Sequence, residues 1–242
     1  MKAIEISGFT EVYSNGYKAV ENVSFDVEAG EIFGFIGKNG AGKSTTIKCL
    51  TGQLPITEGS IKVLGCDVAA DPLGAKRKIG FCSDDHAVYE NMTGRQYVNF
   101  IADVFGVGDE RNSRIEELTH RFSIEYAFDK YIGTYSHGMK QKICLIASLV
   151  HAPELWVLDE PLTGLDISMV HQVRQAMLDH KANGGTVFYS SHNLDVVQKI
   201  CDKAAFINKG KLVEVISIKE FNDSGKSLED YFFEVTEALN KA

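Results

Sequence analysis

The sequence predicts an α/β fold with a mainly parallel sheet, an N-terminal antiparallel β subdomain and an inserted α-helical subdomain. Near the start, apolar and polar residues alternate in segments such as NVSFDVEAG, a pattern typical of antiparallel strands. Later apolar runs, including EIFGFIG and LWVLD, alternate with helical patterns, which indicates parallel βα units. We therefore divide a single domain, residues 1–242, into a core (1–84 and 151–242) and a helical insertion (about 85–150).

The individual elements follow from these patterns in chain order. The run EIFGFIG predicts a buried strand that leads into a Gly-rich turn and a helix beginning near Lys43. Within the insertion, TGRQYVNFIADVFG and DERNSRIEELTHRF carry apolar residues three or four positions apart, as amphipathic helices do. The tail from Lys211 predicts a last hairpin strand followed by one short helix, SLEDYFFEVTEAL.

Composition limits the possible functions. The 242 residues are 44% hydrophobic and 24% charged, which suits one soluble globular domain. A net charge of −8 argues against general nucleic-acid binding, which usually needs a basic face. The five dispersed cysteines indicate free thiols in a reducing cytosol. The longest clean apolar run, CLIASLV, is too short to cross a membrane, and the N-terminus lacks the apolar stretch of a signal peptide. Any membrane role is therefore expected through a partner.

A phosphate-binding loop is predicted between the buried strand and the helix that follows it. The segment GKNGAGKS fits G-x-x-x-x-G-K-[ST], whose backbone N–H groups and helix N-terminus bind phosphate oxygens. Lys43 would reach the β- and γ-phosphates of a nucleoside triphosphate, and Ser44 would ligate Mg²⁺. The core is therefore predicted to be that of a P-loop NTPase. The residues expected to contact the nucleotide in this loop are Gly37, Asn39, Gly40, Ala41, Gly42, Lys43, Ser44 and Thr45.

The segment LWVLDE supplies a second group of candidate site residues. Its four apolar residues predict a buried strand, and Asp159 stands at the carboxyl end, where α/β sheets bind ligands. Asp159 would hold Mg²⁺ through water, and Glu160 would polarise the attacking water as a general base. An Asp-Glu pair at a strand end can also cap a helix, but the upstream phosphate loop favours the catalytic interpretation.

In this order and spacing, the motifs resemble those of the nucleotide-binding subunits of ATP-binding cassette (ABC) transporters. The resemblance covers nearly the whole chain and adds shorter motifs. Tyr13 matches the aromatic residue that stacks on adenine, and YSHGM matches the family signature, usually LSGGQ. TGLD, which ends at Asp166, matches the D-loop, and His192 matches the switch histidine. The resemblance implies that ATP and Mg²⁺ are cofactors.

Ser136 and His137 stand side by side and raise the alternative of a Ser/His hydrolase. No G-x-S-x-G nucleophile elbow is present, which disfavours it. In the family, the signature of one cassette closes on the γ-phosphate held by another, and Ser136 at a helix start would form that anion site, with Gly138 permitting close approach. His137 and Met139 replace the usual glycine and glutamine. We interpret His137 as a tolerated variant rather than a pH sensor.

A second departure from the family pattern lies in IGFCSDDHAVYENMTG. Asp84 stands where the family normally has a glutamine that contacts Mg²⁺, so the metal shell is expected to differ there. The following segment, about His86 to Gly94, is expected to form a groove for a helix of a membrane partner. Val88, Tyr89 and Met92 are either its apolar anchors or core residues of the insertion.

The resemblance implies a cytoplasmic ATPase subunit that dimerises around two Mg-ATP, as a homodimer or with a second cassette. It would drive a separate membrane permease, in the exporter direction, and lie on the cytoplasmic face of the membrane through that permease. One alternative is a soluble ABC ATPase acting on an assembly scaffold, as in iron–sulfur cluster biogenesis. Another is a degenerate cassette that only binds nucleotide, which the intact Lys43, Asp159, Glu160 and His192 disfavour.

Overall fold

The computed structural model describes residues 1–85, 88–223, 225 and 227–241, with the backbone alone for 236–241. An antiparallel sheet is formed largely by the N-terminal residues. Its strands lie in the order β2 (Lys18–Glu28), β1 (Lys2–Val12), β4 (Glu58–Val63) and β5 (Cys66–Asp67). In β2 the side chains from Val23 to Glu28 are alternately buried and exposed, as the sequence alternation predicts.

A six-stranded sheet forms the centre of the molecule. Its order is β10 (Lys211–Ser217), β9 (Lys203–Asn208), β3 (Ile32–Ile36), β8 (Thr186–Ser191), β7 (Leu155–Asp159) and β6 (Ile79–Cys82). Strand β10 is antiparallel to β9, and all the other pairs are parallel. Every residue of β3, β7 and β8 is buried, because both faces of the sheet are covered. The predicted α/β fold class is therefore confirmed.

Helices connect the strands and form the insertion. They are α1 (Lys43–Leu50), α2 (Pro72–Lys78), α3 (Gly94–Val104), α4 (Arg111–Arg121), α5 (His137–Leu149), α6 (Ile167–Ala182), α7 (Leu194–Ile200), α8 (Ile218–Asp223) and α9 (Leu228–Lys241). Helices α3 to α5 lie within the predicted insertion. The sequence patterns did not indicate α2, which begins with Pro72 after an Asp71 cap. They also predicted one helix in the tail, where the structure has α8 and α9.

Two apolar layers flank the central sheet. On one side, Phe25 of the antiparallel sheet stacks on Phe33, with ring centroids 5.5 Å apart, and Phe188 packs against both. On the other side, Trp156 is fully buried among residues of the helices. These layers hold the carboxyl ends of β3, β7 and β8 at a common edge of the sheet. Across the described ranges, we find no helix that is both long and apolar enough to span a bilayer.

Candidate functional site

The Gly-rich loop after β3 is tightly enclosed, and two of its glycines are required by close approach. A Cβ on Gly37 would lie 2.6 Å from the carbonyl oxygen of Ile207, and a Cβ on Gly42 would lie 2.8 Å from that of Ala19. Gly42 also has φ of 108°, which favours glycine, and it caps α1. The loop therefore leads directly into a helix N-terminus, as an anion-binding cradle requires.

Lys43, the first residue of α1, lies inside this cradle. Its side chain is 5% exposed, and Nζ donates to the carbonyl oxygen of Gly37 at 2.7 Å. The same Nζ lies 3.2 Å from Oε1 of Glu160. The structure thus brings together Lys43, which the sequence motifs predict to bind phosphate, and Glu160, which they predict to polarise the attacking water.

Asp159 and Glu160 are held by a serine on the neighbouring strand. Ser190 Oγ donates to Oδ1 of Asp159 at 2.6 Å and accepts the backbone N–H of Glu160 at 3.0 Å. Burial raises the pKa of Asp159 above its ordinary value; hydrogen bonds from Ser190 and Ser44 oppose that rise, and the charges of Glu160 and Asp84 add to it. A buried carboxylate in this setting is a favourable place for a cation.

Glu160 is also fixed from its other side. Its backbone has φ of 49°, a left-handed conformation that is rare outside glycine and often found at functional sites. Oε2 lies 2.7 Å from Nδ1 of His192, whereas the buried Oε1 faces Lys43 as an ion pair without hydrogen-bond geometry. The carboxylate is therefore positioned between a cation and an imidazole at the end of β7.

Asp84 lies close to the same residues, beyond the end of β6. It lines a cavity of about 530 Å³ together with Ser44 and Asp159. The three side chains offer one hydroxyl and two carboxylates, and hard oxygen donors of this kind suit Mg²⁺. Burial, and to a lesser extent the charges of Glu160 and Asp84, raise the pKa of Asp159, and a bound cation would offset both by stabilising the ionised carboxylate.

Tyr13 is attached to the start of α1. Its hydroxyl lies 2.8 Å from Oγ1 of Thr45, and its half-buried ring is nearly parallel to that of Tyr17, with centroids 6.4 Å apart and planes at 7°. An aromatic ring is therefore held beside the cradle, as a base-stacking residue requires.

The segment YSHGM lies at the N-terminus of α5. Ser136 caps this helix, and its hydroxyl accepts the N–H of Met139 at 3.4 Å. Ser136 is exposed, and a Cβ on Gly138 would meet nothing within 4 Å, so this helix end is open to an approaching molecule. His137 turns instead towards the TGLD segment, with Nε2 3.5 Å from the carbonyl oxygen of Thr163.

These features coincide with matches to known proteins. The family model described as "ABC transporter" matches residues 20–163. The ABC transporter ATP-binding protein NatA of Bacillus subtilis (strain 168) is 32% identical over 212 residues, which are 87% of this chain and 86% of that protein. The chain belongs to the ABC transporter family. Within it, the chain is an ATP-binding ATPase subunit.

Other relatives agree with this assignment. The daunorubicin/doxorubicin resistance ATP-binding protein DrrA of Streptomyces peucetius is 36% identical over 88% of this chain, which spans 64% of that protein. A solved ATP-binding subunit of an ABC transporter superposes with a TM-score of 0.91 and 28% identity, covering 97% of this chain and 99% of that one. A dimeric ATP-binding cassette bound to ADP and phosphate has a TM-score of 0.82 at 21% identity, covers 89% of this chain and 98% of its own, and shares the fold.

Asp166, the last residue of the D-loop of this ABC subunit, caps α6. Its Oδ1 accepts the N–H of Met169 at 2.9 Å, so in this conformation the carboxylate is committed to the helix start. The family resemblance assigned Asp166 to the nucleotide. In the structure this hydrogen bond is local, and any contact of Asp166 with nucleotide stays a prediction.

Two polar residues of the ABC site were missed by sequence reasoning. One is Ser190, described above, and the other is Gln141 on α5. The buried Gln141 side chain donates to the carbonyl oxygen of Pro161 at 3.1 Å and so links the signature helix to the segment after Glu160. The only signal in the sequence was the position of each residue near a motif: Ser190 precedes His192 by two residues, and Gln141 follows YSHGM by two.

The predicted partner groove divides into buried and exposed residues. His86 and Ala87 lie outside the described residues. Val88 and Met92 are partly buried against the main core, whereas Tyr89 is 58% exposed. The Tyr89 ring makes edge contacts with Tyr97 and Phe100, at centroid distances of 6.1 and 5.9 Å. Of the three expected anchors, Tyr89 is thus the one that presents a large apolar surface.

Proposed function

We propose that this ABC subunit hydrolyses ATP with Glu160 as general base and couples the reaction to a membrane permease. The observation that carries the proposal is the meeting of Lys43, Glu160 and His192 at the carboxyl edge of the sheet. The cradle supplies backbone N–H groups and a helix N-terminus for phosphate, and Glu160 supplies a fixed carboxylate for a water proton.

The geometry suggests an order of events at Lys43. In the described conformation its ammonium group is shared between the Gly37 carbonyl and Glu160. A triphosphate carries more negative charge than one carboxylate, so phosphate would attract Lys43 away from Glu160. Glu160 would then keep its contact with His192 and become free to accept a proton from water. Binding would thereby prepare the base.

Mg²⁺ would be held by Ser44 and Asp159, with Asp84 nearby. When bound, the ion neutralises charge on the phosphate oxygens. The chain contributes the orientation of its donors: Ser190 fixes one oxygen of Asp159, and the position of Ser44 at the start of α1 places its hydroxyl beside the cradle. Asp84 adds a second carboxylate, which tunes how readily the metal binds.

We infer dimerisation around two nucleotides from the position of the signature. Ser136 and Gly138 lie at an open helix end on the insertion, suited to a phosphate held by a second cassette. The ADP-bound cassette of the same fold is dimeric, which supports this arrangement. A homodimer or a pair with a related chain would satisfy it equally.

A membrane permease of the exporter type is the proposed partner, and this places the subunit on the cytoplasmic face of the membrane. The names of the relatives support it, because NatA is called a transporter ATP-binding protein and DrrA a drug-resistance ATP-binding protein. The exposed Tyr89 and Phe100 give the insertion an aromatic surface beside the cavity that contains Asp84. A permease helix bound to this surface would lie near the proposed metal site.

The central experiment substitutes Glu160 by Gln and measures ATP turnover, ATP affinity and mass in solution. We expect turnover to fall by roughly 10²–10⁴-fold, the contribution typical of a general base. ATP binding should persist, and an ATP-dependent dimer should accumulate because it cannot hydrolyse its ligand.

Glu125→Gln is the matched control, because Glu125 forms a similar carboxylate–imidazole pair on the surface. Its Oε1 lies 2.9 Å from Nδ1 of His120, compared with 2.7 Å in the Glu160–His192 pair. The control should keep full turnover. Turnover surviving in Glu160→Gln would refute the base assignment, and a monomer in the presence of ATP would refute closure by the isolated chain.

The permease proposal is tested by the distribution of the chain in its own cells. Tyr89→Asp should reduce the fraction that sediments with membranes while ATP binding by the purified chain is unchanged. Tyr126→Asp is a suitable control, since Tyr126 is 68% exposed and lies elsewhere on the insertion. If both variants and the unaltered chain sediment with membranes to the same extent, Tyr89 is not part of the partner surface.

A further inference from the structure

The C-terminal helix α9 packs beside the strand that leads into the phosphate cradle. Leu228 and Phe232, four residues apart on one helix face, are both buried. The ring of Phe232 lies 5.5 Å from that of Phe206 on β9, and Phe206 is paired with Ile36, the last residue of β3. The helix is therefore anchored one strand away from the loop that begins at Gly37.

A second anchor fixes the start of α9. The backbone N–H of Leu228 donates to Oε1 of Gln198 at 3.2 Å, and Gln198 Nε2 donates to Oδ1 of Asn222 at 2.9 Å. Gln198 belongs to α7, the helix that follows His192. The orientation of α9 is thus set at two points, which determines where its next side chain is directed.

That side chain is Phe233, one residue beyond Phe232 and about 100° further round the helix. Its ring faces Lys38, whose Nζ lies 5.3 Å from the ring centroid. Lys38 is the second residue of the phosphate loop. Its carbonyl oxygen accepts the N–H of Ala41 at 3.0 Å and lies 3.4 Å from Nζ of Lys43. Phe233 therefore touches a residue whose backbone shapes the cradle.

The type of contact matters for the charge of Lys38. An aromatic face attracts an ammonium group without cancelling its charge, whereas a carboxylate would neutralise it. Within the described parts of the chain, no carboxylate forms an ion pair with Lys38. The ammonium of Lys38 is consequently held in place and still available to an anion.

We propose that Phe233 is a positioning residue for ATP, holding the Lys38 ammonium at the cradle where it attracts the phosphates. The proposal rests on the proposed nucleotide site, and ATP binding by the unaltered chain tests that site separately. Because Phe233 acts through a charge, its effect should grow with the number of phosphates on the ligand. A residue that only stabilised the fold would affect ATP and AMP alike.

Calorimetric titration with ATP and AMP, together with steady-state turnover, provides the test. Phe233→Leu keeps an apolar side chain but removes the π face, and it should raise Kd and KM for ATP about two- to fivefold. The value of kcat and the Kd for AMP should change much less. Phe233→Tyr should behave like the unaltered chain, since it retains the ring. Tyr231→Phe, on the same helix, is the control and should leave Kd and KM unchanged.

A double-mutant cycle with Lys38→Gln separates the pair from its surroundings. If Phe233 acts through Lys38, adding Phe233→Leu to Lys38→Gln should cause little further loss of ATP affinity. Independent, additive losses would overturn the proposal. So would a Phe233→Leu protein with unchanged affinity, or one whose ATP and AMP affinities fall equally. Absence of ATP binding by the unaltered chain would instead overturn the nucleotide site itself.

Discussion

Removing the hydroxyl of Ser190 should lower the free energy of unfolding by an amount that depends on pH. The fully buried Ser190 makes two hydrogen bonds at the site: it donates to Asp159 and accepts from the backbone of Glu160. Ser190→Ala leaves a buried carboxylate and a backbone N–H without these partners. The cavity left is small, so the hydrogen bonds dominate the change in stability.

The size of the effect depends on the charge of Asp159. A hydrogen bond to a charged group contributes about 1.5–3 kcal/mol to the free energy of unfolding, whereas one between neutral groups contributes about 1 kcal/mol. Counting both hydrogen bonds, we expect Ser190→Ala to lose about 2.5–4 kcal/mol when Asp159 is ionised and about 2 kcal/mol when it is protonated.

The direction of the pH dependence follows from the pKa of Asp159. Burial already raises this pKa above its ordinary value of 3.8, so the folded protein binds the proton more tightly than the unfolded chain. Stability from this group is therefore lost as pH rises from the unfolded pKa through the folded pKa. The hydrogen bond from Ser190 lowers the folded pKa. Without it, the folded pKa rises further, and the added loss in Ser190→Ala is fully present only above that raised value.

The assay is urea denaturation at a series of pH values from about 4, near the ordinary pKa of Asp159, to about 8, with nucleotide and divalent ions removed because bound ligands alter apparent stability. Ser148→Ala is the control. Ser148 is also buried and also makes two hydrogen bonds, from Trp156 Nε1 at 2.9 Å and to the carbonyl oxygen of Leu145 at 2.8 Å, but both partners are neutral. The loss in Ser148→Ala should be the same at every pH of the series. A Ser190→Ala loss that is equally independent of pH would refute the reasoning.

Three further substitutions test the nucleotide site. Tyr13→Ala should weaken ATP binding by roughly 1–3 kcal/mol with little effect on triphosphate alone, and Tyr13→Phe should restore it; a Phe variant as weak as Ala would mean that the hydroxyl contact with Thr45 is what matters. Ser136→Arg should abolish turnover while the isolated chain still binds ATP, and loss of that binding would contradict a site shared between two cassettes. Asp84→Ala should raise the Mg²⁺ concentration for half-maximal turnover, with a smaller loss of rate than Glu160→Gln, and Asp84→Gln should stay active; unchanged Mg²⁺ dependence would remove Asp84 from the site.

The sequence predicted the parts of the site that are determined locally. The residues from Gly37 to Ser44 themselves determine the turn, the close backbone packing and the start of α1. The motif alone was therefore enough to predict the position of Lys43 at the helix N-terminus. Asp159 was likewise placed by the apolar run before it. Ser190 could not be found in this way, because it bonds to Asp159 on the neighbouring strand, 31 residues away in the chain. Nothing in the periodicity of TVFYSS distinguishes the serine that meets a carboxylate from its neighbour.

The tail was predicted less well than the core for a related reason. Its helical pattern was recognised in SLEDYFFEVTEAL, but pattern alone does not identify what each face contacts. The positions of Phe232 and Phe233 depend on Phe206 and on the phosphate loop, which are distant in sequence. Both α8 and α9 also contact α7 through Gln198, which bonds to Asn222 and to the backbone of Leu228.

The contacts of Glu160 in this structure explain how its carboxylate can be held in one orientation and still accept a proton from water. Lys43 holds one oxygen by charge alone, without a directed hydrogen bond, and His192 lies within hydrogen-bonding distance of the other. The contact with Lys43 is the one that phosphate can replace, since both are interactions with an ammonium group. Neither the contact with His192 nor the Ser190 bond to the Glu160 backbone involves Lys43. Binding would therefore release one oxygen while the orientation of the carboxylate is preserved, which is the condition that a general base at this position requires.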